Sequence, residues 1–420
     1  MRNRKRGNSA VKKIIIWLGI DAVLVMLLTA CGEGAADNGV LPLTSAAIGR
    51  QDNEVQETSG TRERGEAIEI VSIPIPTETP RESSEEIMPQ PETEAAEPTE
   101  PPPDILTITI SAAGDCSLGN HQDQEYAYSF RQAYDQIEDE GYFFENVRDI
   151  FASDDMTIVN FEGVLTFREE RDETRTYNIK GDPEYARLLT AGSVETVSFA
   201  NNHRLDYGTG GSDDTVAALE AAGIIYAYDR NVGIYETEKG IRIGFVSVNE
   251  VAWGLGSEQL LADGIGKLQE QGVDLILACC HWGIERDNYP TENQQYLGRK
   301  CIDLGADLVI GHHPHVLQGV EEYSGKFIIY SLANFCFGAN RNPVDKDTMI
   351  FQQTFTFVDG VKQEDQQIQI IPCSVSSVRD RNNFQPTPAQ GEEAARIIGR
   401  INTYSEDFGT SFAEDGTLAP

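Results

Sequence analysis

Five of the six histidines in the sequence, His203, His281, His312, His313 and His315, stand at or just beyond the ends of short apolar runs. Asp115, Glu162 and Asn202 occupy the same kind of place. Imidazole nitrogens mixed with carboxylate and amide oxygens suit Zn, Mn or Fe rather than calcium, which prefers an all-oxygen shell. Two-metal sites use such sets to polarise a phosphoryl oxygen and to generate hydroxide. A lone histidine is more often a packed or surface residue. Five of them in equivalent places reverse that expectation.

The apolar runs read as strands. Residues 105–112 alternate and lead to Gly114-Asp115, and Met156–Phe161 leads to Glu162-Gly163. Residues 196–200 precede Asn201-Asn202-His203, 273–280 precede His281-Trp282-Gly283, and 307–310 precede Gly311-His312-His313-Pro314-His315. Helices are expected around 126–151, 183–191, 213–222, 258–271 and 294–304, with further strands at 224–228 and 241–248. Strands alternating with helices imply βαβ units and an α/β fold. In such sheets ligands collect beyond the carboxyl ends of the strands, so five strands with polar ends predict one convergent site. Cys279 and Cys280 are adjacent within a strand and are expected as buried thiols rather than as a pair.

The composition fits a large folded domain with additions. Of 420 residues 40% are hydrophobic and 8% aromatic, enough for a sizeable core, which excludes wholesale disorder. Acidic residues number 68 against 33 basic ones, a net charge of −35 that repels phosphate backbones and argues against nucleic-acid binding. Seven cysteines are too few for a disulfide scaffold.

Three segments differ in kind. Residues 1–31 join a basic stretch to an apolar run over 14–28, shorter than the roughly 20 residues of a spanning helix. The run carries one discordant charge, Asp21, and ends Leu28-Thr29-Ala30-Cys31, which resembles the lipobox of bacterial lipoproteins. That resemblance implies cleavage before Cys31 and lipidation of its thiol; an uncleaved anchor is the alternative. Either way the remainder is expected outside the cytoplasmic membrane, anchored to it. Residues 32–105 are acidic and rich in Pro, Glu and Thr, with half of the 18 prolines between Pro74 and Pro103, and are expected to form a disordered spacer. The folded domain is expected over 106–420.

Six ordered motifs carry a family resemblance. They are Gly114-Asp115; Asn160-Phe161-Glu162-Gly163; Asn201-Asn202-His203 with Asp206-Tyr207-Gly208; His281-Trp282-Gly283-Ile284-Glu285; Gly311-His312-His313-Pro314-His315; and Ser331-Leu332-Ala333-Asn334-Phe335. Together they resemble the CapA family of poly-γ-glutamate capsule synthesis proteins, over about 106–338. The family is grouped with the calcineurin-like metallophosphatases, which implies an α/β/β/α sandwich of two facing sheets flanked by helices. The resemblance also implies roles. Asp115 would ligate a first metal and Glu162 would stand as bridging carboxylate. Asn202 and His281 would bind a second metal, with His203 as general acid and His313/His315 as the His-x-His pair. His312, Glu285, Asp206 and Asn334 would be supporting or substrate-binding residues. Lys180 and Arg204 could meet an anion, although solvated charge is the blander reading. The chain departs from the superfamily at Asp115-Cys116-Ser117, where Asp-x-His is expected, and in having Glu162 for the bridging aspartate.

The functional expectation is a surface lipoprotein acting in poly-γ-glutamate synthesis or export. It would hold one or two divalent transition metals (Zn, Mn or Fe), and its partners would be the polymer and membrane-bound capsule components. A metal-dependent extracytoplasmic phosphoesterase unrelated to capsule is the alternative. Whether the protein is an enzyme turns on the ligand count, which Ser117 lowers.

Overall fold

The computed structural model describes residues 102–137, 139–364 and 367–419. Cys31, the apolar run and nearly all of the expected spacer lie outside the described residues. Two mixed sheets form the core. In the first, strands run in the order Thr387–Pro388, Gln367–Ser374, Asp347–Val358, Ile105–Ser117, Met156–Phe161, Thr196–Ser198 and Ile225–Ala227, with Asn334–Phe337 also paired to Ile105–Ser117. The second runs Val320–Tyr323, Lys326–Ile329, Leu308–His312, Leu275–His281, Arg242–Asn249 and Gly233–Glu236.

Side-chain alternation decides what each face does. Ile108, Ile110 and Ala112 of the first sheet meet Leu275, Leu277, Cys279, Leu308 and Ile310 of the second in one apolar layer. The opposite face of the first sheet packs Val159, Phe161 and Val197 under Leu188, Leu189 and Leu219 of the helices Ala186–Ala191 and Gly208–Ala221. That of the second sheet packs Val246, Ala278 and Val309 under Leu261, Leu268 and Leu297 of the helices Ser257–Glu270 and Glu292–Asp303. The result is helix, sheet, sheet, helix. Thr291 starts the last of these helices through a capping box with Gln294. Cys279 and Cys280 are free and buried, pointing to opposite faces of their strand.

Several elements differ from expectation. The helix expected over 126–151 is broken into Phe130–Gln136, a 3₁₀ turn Glu140–Phe144 and Arg148–Phe151. Asp139 accepts a hydrogen bond from the Gly141 amide at 2.8 Å and starts the turn afresh. The edge strand Gly233–Glu236 and the helix Glu392–Ser405 were not anticipated; the helix buries Ile397, Ile398 and Ile401 against the inter-sheet layer. Among the described residues no helix is long and apolar enough to cross a membrane.

Candidate metal centre

The alternation that builds the inter-sheet layer also aims the polar strand ends. Continuing Ile158 by two gives Asn160, and by four Glu162; continuing Cys279 gives His281, and continuing Ile310 gives His312. Asp115 needs an extra device. Ala113 pairs with Val159 but Asp115 with Asn160, so Gly114 is an extra residue in the ladder. This bulge resets the alternation, a usual way of re-aiming a side chain beside a site. It leaves Cys116 in the helix-side core, its thiol pushed up by burial, so Cys116 is no ligand here. Glycine is required at the bulge because a Cβ on Gly114 would lie 2.0 Å from the Ala333 carbonyl oxygen.

The first sheet supplies Asp115, Asn160, Glu162 and the loop with Asn202 and His203. The second supplies His281, Glu285, His312, His313 and His315. They meet at the mouth of the inter-sheet gap. Ligand atoms of Asp115, Glu162 and His281 lie within 4.8 Å of one another, and so do those of Glu285, His313 and His315. The two groups abut, for His315 Nε2 is 3.6 Å from Glu162 Oε1 and the His281 and His313 rings are 4.7 Å apart. Asn202 Oδ1 accepts a hydrogen bond from His281 Nε2 at 2.8 Å.

The supporting contacts are specific. His203 Nδ1 donates to Asp206 Oδ2 at 2.8 Å, which leaves Nε2 as the basic atom, 3.8 Å from Glu162 Oε1. Asp206 also accepts from the Ile179 amide at 2.7 Å. Asn334 grips His315 at both ends, accepting from Nδ1 at 3.0 Å and donating to its carbonyl at 3.2 Å. His312 is buried, with Nδ1 3.3 Å from Asp115 Oδ1 but not aligned for a hydrogen bond. His313 and His315 have φ of +97° and +58°, a conformation that non-glycine residues adopt at a cost and that clusters at functional sites.

Electrostatics follow from this crowding. Burial and the neighbouring His313 hold His281 well below the usual histidine range. Burial and His315 bring His313 down to about 4, so both rings are neutral and fit to bind a cation. Burial pushes Glu162 up to about 7. Burial opposes the charge on His315, yet Glu162 and Asp115 outweigh it and raise the ring to about 9, so a cation bound at its Nε2 would displace a proton.

Buried polar atoms are almost always hydrogen-bonded. Here Asp115 Oδ2, Glu162 Oε1, both His312 nitrogens and His313 Nδ1 are buried without such a bond. Unsatisfied oxygen and nitrogen donors converging on one spot fit a divalent transition metal.

Asn160, the first residue of the motif Asn160-Phe161-Glu162-Gly163, belongs to the site although its place inside an apolar run gives no sign of it. Its Nδ2 is 2.8 Å from Asp115 Oδ1, 3.2 Å from Glu162 Oε2 and 3.4 Å from His281 Nδ1. Arg175 supports the site as well; it binds the Asn202 carbonyl and lies 3.5 Å from Asp206 Oδ1, fixing the loop that carries His203. No local signal marks it. Lys180 and Arg204 are engaged elsewhere, with Glu169 at 3.0 Å and Asp229 at 2.6 Å.

The model of the family described as bacterial capsule synthesis protein PGA_cap matches 109–339, more than half of the chain and the whole span from Asp115 to Asn334. The PGA biosynthesis protein CapA of Bacillus subtilis (strain 168) is 30% identical over 249 residues, 55% of this chain and 63% of that protein. The capsule biosynthesis protein CapA of Bacillus anthracis is 26% identical over 254 residues, 55% of this chain and 60% of that one. A probable polyglutamine synthesis accessory protein of Mycobacterium tuberculosis (strain CDC 1551 / Oshkosh) is 26% identical over 204 residues, 42% and 54% of the two chains. The chain thus covers less than two thirds of the length of each of these relatives. It belongs to the bacterial capsule synthesis family.

Proposed function

We propose that this member of the capsule synthesis family acts in poly-γ-glutamate synthesis or export, through a divalent-metal site at the mouth of the inter-sheet gap. One observation carries the reading: the family match spans every residue of the convergent site. Asp115, Glu162, Asn202 and His281 would hold one cation, with His313 and His315 beside it. A Zn, Mn or Fe ion there would supply Lewis-acid polarisation of a bound carboxylate or phosphoryl oxygen. His203, oriented by Asp206, would hold or release a proton at Nε2. We place the domain outside the cytoplasmic membrane, tethered through a lipid on Cys31, where a secreted polyanion and membrane-bound capsule components would be met. The protein's own negative charge opposes a polyanion, so a cation in the site would also serve as the counter-charge.

The test is complementation. In a Bacillus subtilis strain lacking its CapA, the full chain should restore surface poly-γ-glutamate and His281→Ala should not. Equal restoration by both would remove the site from the function. No polymer, together with phosphodiester cleavage by the purified chain, would favour a phosphoesterase outside capsule synthesis.

A further inference from the structure

Ser117 leaves a gap in the donor set of the first sheet. It stands where the resemblance calls for a histidine, and its buried hydroxyl has no hydrogen-bond partner. The second sheet carries a surplus. Beyond His281 the chain turns through Gly283, at φ +84°, and Arg286, at φ +64°. The Arg286 amide then donates to the Pro314 carbonyl at 2.8 Å. That bond ties the loop bearing Glu285 to the segment His313-Pro314-His315. A carboxylate oxygen of Glu285 and one nitrogen from each imidazole consequently lie within 4.8 Å of one another.

The Glu285 carboxylate is exposed, and among the described residues no hydrogen bond or ion pair turns it away from the two imidazoles. His313 is 5% exposed and its Nδ1 has no partner. An unpaired carboxylate and an unpaired buried imidazole, held together by a backbone hydrogen bond, are the parts of a cation site.

We propose that Glu285 is a metal ligand that, with His313 and His315, forms a second divalent-cation site next to the one built on Asp115, Glu162 and His281. Two imidazoles and one carboxylate leave coordination positions open, as in the His₂Glu sites of zinc hydrolases and the two-histidine, one-carboxylate sites of iron oxygenases. The two sites differ in access. Asp115, Glu162 and His281 are all buried, whereas Glu285 is exposed, so the outer cation is the one that an incoming carboxylate or phosphate would meet. This inference rests on the metal reading under Proposed function.

Metal titration of the full chain tests it, read by metal content after dialysis and by the visible spectrum of bound Co²⁺. The parent should bind two equivalents. Glu285→Gln should keep one and bind the other roughly 1,000-fold more weakly, beyond the roughly 10–100-fold loss typical of a residue that only orients a ligand. Glu285→Asp should recover part of that affinity. His281→Ala should lose the inner equivalent and keep the outer. Glu285 is exposed, so its variants should fold; circular dichroism checks this. Two equivalents of unchanged affinity and unchanged Co²⁺ spectrum in Glu285→Gln would overturn the role of Glu285 while the metal reading stands. No metal bound by the parent would overturn both.

Discussion

His281 Nε2 donates to Asn202 Oδ1 over 2.8 Å, joining a strand end of the second sheet to a loop of the first. With Nε2 protonated, Nδ1 is the acceptor that the Asn160 amide faces at 3.4 Å. Asn202→Ala should leave a buried N–H unpaired and cost about 1–3 kcal/mol in EDTA-treated protein. Urea unfolding measures it. A loss within error would mean that water or another group takes over the bond.

Asn160 separates two buried carboxylates with a neutral amide. Asn160→Asp would place a third carboxylate between Asp115 and Glu162, at a cost of about 3 kcal/mol at pH 8 without metal. Repulsion raises the folded-state pKa of the new acid, so its penalty should shrink as pH falls towards 5. Denaturation of parent and variant at both pH values in EDTA checks the size and the sign.

Glycine replacement separates steric contact from backbone strain. Gly223 has φ +76° and open space around it, so Gly223→Ala should cost only about 1 kcal/mol. Gly114→Ala meets the Ala333 carbonyl oxygen and should cost about 2–4 kcal/mol. It should also move Asn334, which follows Ala333 and grips His315, and so weaken metal binding. Equal costs at the two positions would contradict this account of the bulge.

Asp154, just before the strand Met156–Phe161, is raised to about 7 by burial, with Glu195 and Asp155 adding to the shift against bonds from Ser111 and Thr157. Its unfolded value is about 3.9. Between these values the folded state holds a proton that the unfolded state has lost. The stability this confers is complete at the acid end and disappears as pH rises through about 7. Asp154→Asn cannot ionise, so its urea midpoint relative to the parent should improve from pH 5 to pH 8. A constant offset would show that Asp154 ionises normally.

Cys31 lies outside the described residues, and its expected role is chemical. Cys31→Ser should abolish lipid labelling and either block processing or release the protein from the membrane fraction. Labelling with a radioactive fatty acid and fractionation decide; unchanged processing and retention would remove the lipobox reading.

Much of the site is legible from alternation alone. Leu275, Leu277 and Cys279 place His281 inward, and Ile158 does the same for Asn160 and Glu162. What stays hidden is tertiary. The bulge at Gly114 exists only against its partner strand, so strict alternation from Ile108 would turn Asp115 towards the helices. Asn160 hides inside an apolar run that reads as strand interior. Arg175 and the tether between Arg286 and Pro314 join residues 27 or 28 apart with no shared pattern. The break at Asp139 and Gly141 depended on a side chain competing locally with helix hydrogen bonding.

Because each sheet owns half of the donors, the site acts as a gauge of the spacing between the sheets. Phe327 and Phe351 face each other across that gap with ring centroids 6.1 Å apart. Trimming either ring would let the layers settle closer or slide, and a sub-ångström displacement would be transmitted to the donors that the two sheets contribute to the inner cluster of Asp115, Glu162 and His281. Selection on the chemistry would therefore extend to apolar side chains that never touch it, and metal affinity would register repacking deep in the molecule.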